Sequence, residues 1–257
     1  MAGLIQHLRP KERRGSKPRC HFLTHGSAND VAARLTALAA PFATVSSQDR
    51  WMPQGFDDHE EAQLHRAPRL LNPKISEKLQ SWWLGPVSRS TRTPNFDIAS
   101  TCTIEEASGL LLVEAKAHDE ELNNETVGRR LKPNEPKSRI MSHQTIGAAI
   151  AQARAGLEEA TALPWKISRD SHYQMSNRFA WAWKLTDLGI PVVLIYLGYL
   201  KADEMKDRGK PFANYAEWEQ LVKSHSEPLF PSQVWDQRWL CNGQPFIPLI
   251  RSSEQPL

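Results

Sequence analysis

The chain has 257 residues, with 24% charged and 40% apolar side chains, a formal net charge of +3 and a pI near 8.8. Those fractions lie near globular averages, which argues against wholesale disorder, and the length allows one large domain or two small ones. The mild positive balance permits a phosphate-bearing partner without demanding one.

Cys20, Cys102 and Cys241 stand far apart, with no C-x-x-C and no His/Cys cluster at zinc spacing. Reduced thiols in a cytoplasmic protein are the expectation. No apolar run approaches membrane-spanning length; residues 192–200 are too few. The opening stretch lacks an apolar signal core.

Residues 1–20 carry Arg9, Lys11, Arg13, Arg14, Lys17 and Arg19 and read as a basic N-terminal tail, either a solvated end or an arm on a nucleic-acid backbone. Residues 21–257 read as a single α/β domain, with an aromatic and proline-rich extension over about 225–257. Residues 27–40 read as a helix capped by Ser27, with Val31, Leu35 and Leu38 as its stripe. A turn is expected over 51–55.

A second helix is expected over 57–66, with Asp57 and Asp58 suited to its start and Phe56, Leu64, Ala67 and Leu71 as its stripe. Glu60 falls within that stripe. Residues 74–83 read as a further helix, ending at Gly85-Pro86. The loop 88–94 places Arg89 and Arg92 where they can reach a phosphate.

Residues 96–117 read as a β-hairpin. Its first arm, 96–104, alternates isoleucine and threonine; its second, 109–117, opens with Leu-Leu-Leu-Val; residues 105–108 form the loop. Period-two alternation puts Glu114 and Lys116 on one face. If Ile104 pairs with Gly109, Asp97 lies opposite Lys116 on that same face; a bulge would undo this. Unpaired charges on a sheet face are costly, and a divalent cation between the two carboxylates would relieve their repulsion.

After the hairpin, 119–139 is a polar loop or short broken helix. Its Arg129, Arg130, Lys132, Lys137 and Arg139 make it the most basic internal patch, either a substrate-contacting flap or a surface loop. Residues 143–160 form a strong helical pattern whose alanines and Gly147 suggest close packing. Residues 171–188 read as an inner helix with two apolar faces, carrying Gln174 and Arg178 near its N-terminal end. The apolar run 190–200 suits a central strand, and a helix preceding it implies a parallel pairing. A helix over 215–222 and a strand over 244–250 complete the pattern.

Asp97 followed by Glu114-Ala115-Lys116 resembles the core of the PD-(D/E)xK nuclease superfamily, although its proline, Pro94, is not adjacent to the aspartate. The resemblance spans roughly residues 56–200. It implies a restriction endonuclease-like α/β fold, with a mixed central sheet flanked by helices on both faces. It further implies Mg²⁺- or Mn²⁺-dependent phosphodiester hydrolysis of nucleic acid, with DNA favoured. Asp97 and Glu114 would bind the metal, joined by the Ala115 carbonyl. Lys116 would hold the attacking water, and Gln174 would sit close to the metal or phosphate. Glu60, with Glu61 as fallback, would add a ligand from the helix before the hairpin. Arg178, Arg129, Arg130 and Lys132 are the candidate nucleic-acid contacts. The alternative is a non-catalytic nucleic-acid or protein-interaction module on the same fold.

Overall fold

Six strands form one mixed sheet in the order β1-β2-β3-β4-β6-β5 in this computed structural model, which describes residues 2–85 and 93–257. The strands are β1 (Trp51–Met52), β2 (Ile98–Ile104), β3 (Ala107–Lys116), β4 (Val192–Tyr199), β5 (Trp239–Cys241) and β6 (Gln244–Ser253). The β1–β2, β2–β3 and β5–β6 pairs are antiparallel; β3–β4 and β4–β6 are parallel. β4 is therefore central and flanked by parallel partners, as its unbroken apolar run requires. Arg89 and Arg92 lie outside the described residues.

The helices are α1 (Ala2–Ile5), α2 (Ser16–Leu23), α3 (Ala28–Ala39), α4 (Pro73–Leu84), α5 (Glu120–Asn123), α6 (Lys137–Thr161), α7 (Tyr173–Asp187) and α8 (Tyr215–Ser226). They cover both faces. Leu111, Val113, Ile195 and Ile247 pack with Val31 and Leu35 of α3 on one side. Leu110, Leu112, Leu194 and Phe246 pack with α4, α6, α7 and α8 on the other. α7 lies between the sheet and α6, which accounts for its two buried faces. α6 approaches α7 closely at Gly156, where a Cβ would stand 2.2 Å from Trp183 Nε1. Six of the nine tryptophans are buried (Trp83, Trp165, Trp181, Trp183, Trp218 and Trp235).

Three expectations require correction. Residues 57–66 are not a helix: only Leu64–Arg66 makes a 3-10 turn. The chain runs extended, and Ala62 and Phe96 exchange backbone hydrogen bonds of 3.2 and 3.0 Å. Its apolar residues serve different clusters, Phe56 with Leu8 and Phe22, but Leu64, Ala67 and Leu71 with the α7 side. A helix-like spacing thus arose from burial at two separate places. The N-terminal segment is also not a free tail. α2 packs on β3, and Arg19, 2% exposed, pairs with Glu204 at 2.5 Å. Finally, the helix expected over 143–160 begins earlier, as α6 at Lys137, so Lys137 and Arg139 belong to it; the short α5 and the 3-10 turn Asn124–Thr126 are the broken helix of the preceding polar stretch.

Candidate functional site

The hairpin closes more tightly than its sequence suggests. Ile104 pairs with Ala107, leaving Glu105 and Glu106 as a two-residue turn with φ of 47° and 69°. Positive φ at both positions gives the turn a twist that matches the strands. The register is offset by two residues from the expected one, and an even offset leaves every strand side chain on its face. Glu114 and Lys116 accordingly share the α7 side with Leu110 and Leu112.

Asp97 departs from this alternation. Its N–H donates to Val113 O at 3.0 Å, although Val113 is the register partner of Ile98. Two residues thus oppose one, which defines a bulge. The bulge carries the Asp97 carboxylate to the strand edge, where Oδ2 accepts the Ala115 N–H at 2.7 Å. Asp97 stands beside Ala115, not opposite Lys116. The N–H and C=O of one strand residue point the same way, so the Ala115 carbonyl is turned toward the same edge. Burial, followed by the charge of Glu114, pushes the Asp97 carboxyl up to about 8.

Glu114 is 2% exposed and is the hub of a buried ionic cluster. Its Oε1 accepts from Lys116 Nζ at 2.7 Å and from Gln174 Nε2. Its Oε2 accepts from Arg178 Nε at 2.6 Å. Burial disfavours its charge, but Arg178 and Lys116 outweigh that cost and hold it below the usual carboxylate range. Lys116 also contacts Glu125 Oε1 at 2.5 Å. Burial opposes the ammonium, yet Glu114 and Glu125 more than compensate and raise its pKa. The cluster sits at the C-terminal end of β3 and the N-terminal end of α7. That end of a parallel pair is where α/β sheets place ligands, and the helix terminus favours negative charge.

The remaining expected residues separate into those that converge and those that do not. Gln174 converges on Glu114. Arg178 does too, but as a buried partner: it donates to Glu114 and Asn177 and lies 4.9 Å over the Phe96 ring, so it is not a surface phosphate contact. Glu60 is exposed and its N–H bonds Asp58 Oδ1; with no helix to carry it, it does not join the cluster. Glu61 comes nearer: it accepts from Asn95 at 3.1 Å, pairs with Lys17 at 3.0 Å, and contributes to the rise at Asp97. Arg129 is tied to Tyr173, its NH1 donating to the phenolic oxygen at 3.1 Å. Arg130 and Lys132 are exposed. His118, two residues beyond Lys116 in the sequence, is also buried, with Nδ1 unpartnered among the described residues.

Among the described residues no three His, Cys, Asp or Glu side chains are grouped to hold a metal ion. A ligand set here would be two carboxylates and a backbone carbonyl. The sequence reading missed Glu125, which occupies a polar run beside Glu120 and Glu121 and becomes a site residue only through burial. It also missed His225, whose Nε2 lies 3.8 Å from Glu125 Oε2. No family model, no curated protein and no solved structure matches the chain. No helix among the described residues is long and apolar enough to cross a membrane.

Proposed function

We propose that this protein hydrolyses phosphodiester bonds in nucleic acid, with DNA the favoured class, as a restriction endonuclease-like member of the PD-(D/E)xK superfamily. The observation that carries the reading is the meeting of Asp97, Ala115, Glu114, Lys116 and Gln174 at one end of β3.

The donor chemistry fits Mg²⁺ or Mn²⁺. A carboxylate offers about four lone-pair sites. Three side-chain donors occupy Glu114, two on Oε1 and one on Oε2, which leaves room on Oε2. Asp97 uses only Oδ2 among the described residues. Asp97, Glu114 and the Ala115 carbonyl would hold the ion, which when bound supplies a Lewis acid at the phosphate.

The chain's own groups have defined tasks in this reading. Arg178 and Gln174 fix the Glu114 carboxylate from two directions. Lys116 stays an ammonium between two carboxylates, so it orients the attacking water and stabilises phosphate charge. Arg130, Lys132 and Lys137, exposed on the segment that leads away from Glu125, supply cationic contacts for the nucleic-acid backbone.

One observation favours a second reading, a non-catalytic nucleic-acid or protein-interaction module: Lys116 and Arg178 already meet the charge of Glu114. Incubation of plasmid and oligonucleotide DNA with Mg²⁺ or Mn²⁺ separates the two. The nuclease reading expects cleavage by the wild type and a loss of about 10²–10³-fold in Lys116→Ala and Asp97→Asn. Retained cleavage in both variants refutes these roles; DNA binding without cleavage by the wild type points to the module.

A further inference from the structure

Glu125 has a place in this site that no motif marks. It lies on the 3-10 turn Asn124–Thr126, directly after α5. The turn is fastened to α7 by His172 N–H donating to Thr126 O at 3.2 Å, and by a bridge between Val127 and Ser171. This fixes Glu125, 6% exposed, against the same Lys116 ammonium that contacts Glu114.

Glu125 Oε1 contacts the Lys116 ammonium at 2.5 Å, while Oε2 is buried without a hydrogen-bond partner among the described residues. His225 of α8 faces Oε2, with Nε2 likewise unpartnered and its ring centroid 4.8 Å from that of His172. The charged groups around Glu125 are thus Lys116 and Glu114 from β3 and Arg178 from α7, with His225 from α8 beside them. A buried carboxylate with so few hydrogen bonds is costly and calls for an explanation. Burial raises its pKa to about 7, even with Lys116 pulling the other way.

We propose that Glu125 is a positioning residue for Lys116, holding the ammonium in place when the charge of Glu114 is drawn toward a bound cation. The proposal rests on the nuclease reading. Without Glu125, the ion-pair partner left to Lys116 among the described residues is Glu114, the same carboxylate that a metal must share. With it, the lysine stays charged and fixed through that exchange. Glu125 acts through Lys116 and touches no substrate.

The test uses Glu125→Gln and Glu125→Asp in the full chain. Glu125→Gln keeps the shape and removes the charge. Its cleavage turnover is expected to fall about 10–100-fold, the usual cost of losing a residue that orients a site group. DNA affinity measured in Ca²⁺ stays unchanged. Glu125→Asp restores part of the turnover. Independently of cleavage, the NMR signal of the Lys116 ε-methylene, held between two carboxylates in the wild type, moves toward the position of a free lysine in Glu125→Gln. A wild type that cleaves nothing overturns the nuclease reading. An unmoved Lys116 signal, or wild-type turnover in Glu125→Gln, overturns the role of Glu125.

Discussion

Arg178 shows how much one buried side chain can decide. Its guanidinium and the Glu114 carboxylate are both nearly inaccessible to water, and each makes the other's burial tolerable. Removing one member leaves a charge without its counterpart. Arg178→Met should therefore destabilise the fold by about 3 kcal/mol, the lower part of the range for broken buried pairs, because Lys116 still reaches Glu114. Glu114→Met combined with Arg178→Met should recover much of that loss. Urea unfolding of the two variants measures both effects; a neutral Arg178→Met would show that the pair does not bear on stability. Asp97 makes the same point differently. Its displacement by one bulge decides which backbone group it meets, and so places it beside Ala115.

At the level of elements, the hairpin determines the geometry of the site, and its turn is strained. Glu105 and Glu106 both adopt positive φ, a region that costs a non-glycine residue about 1 kcal/mol or more. Glu106→Gly should therefore stabilise the protein by about 0.5–1 kcal/mol while keeping the Glu105–Arg238 ion pair. Chemical denaturation reads this directly; a loss of stability would mean that the turn geometry is wrong. The same turn explains what the sequence concealed. Two glutamates carry no glycine or asparagine signal, so Ala107 and Ser108 read as loop although they belong to β3. The alternation of Glu114 and Lys116, the apolar run of β4 and the two-faced pattern of α7 were legible, because each is a repeat imposed by burial. The segment 57–66 misled for the converse reason: its apolar residues are buried in two clusters that happen to match one helical stripe. Glu125 was hidden because Glu120 and Glu121 carry the same charge in the same polar run, and only the packing of its turn against β3, α7 and α8 sets it apart.

For the whole molecule, the parallel centre β3–β4–β6 and the helices on both faces bring the charged residues to one end of the sheet. The apolar middle of the sheet gives way there to five ionisable groups, three acidic and two basic, held by α7 and by the turn after α5. A net charge of only +3 does not identify a nucleic-acid partner by itself. The account depends on a cation site formed by Asp97, Glu114 and the Ala115 carbonyl. Calorimetric titration of Mn²⁺ into the wild type and Asp97→Ala, without nucleic acid, tests that most directly. A saturable heat in the wild type that is lost in Asp97→Ala is the predicted result. No saturable heat in the wild type, or equal heats from both proteins, would contradict it.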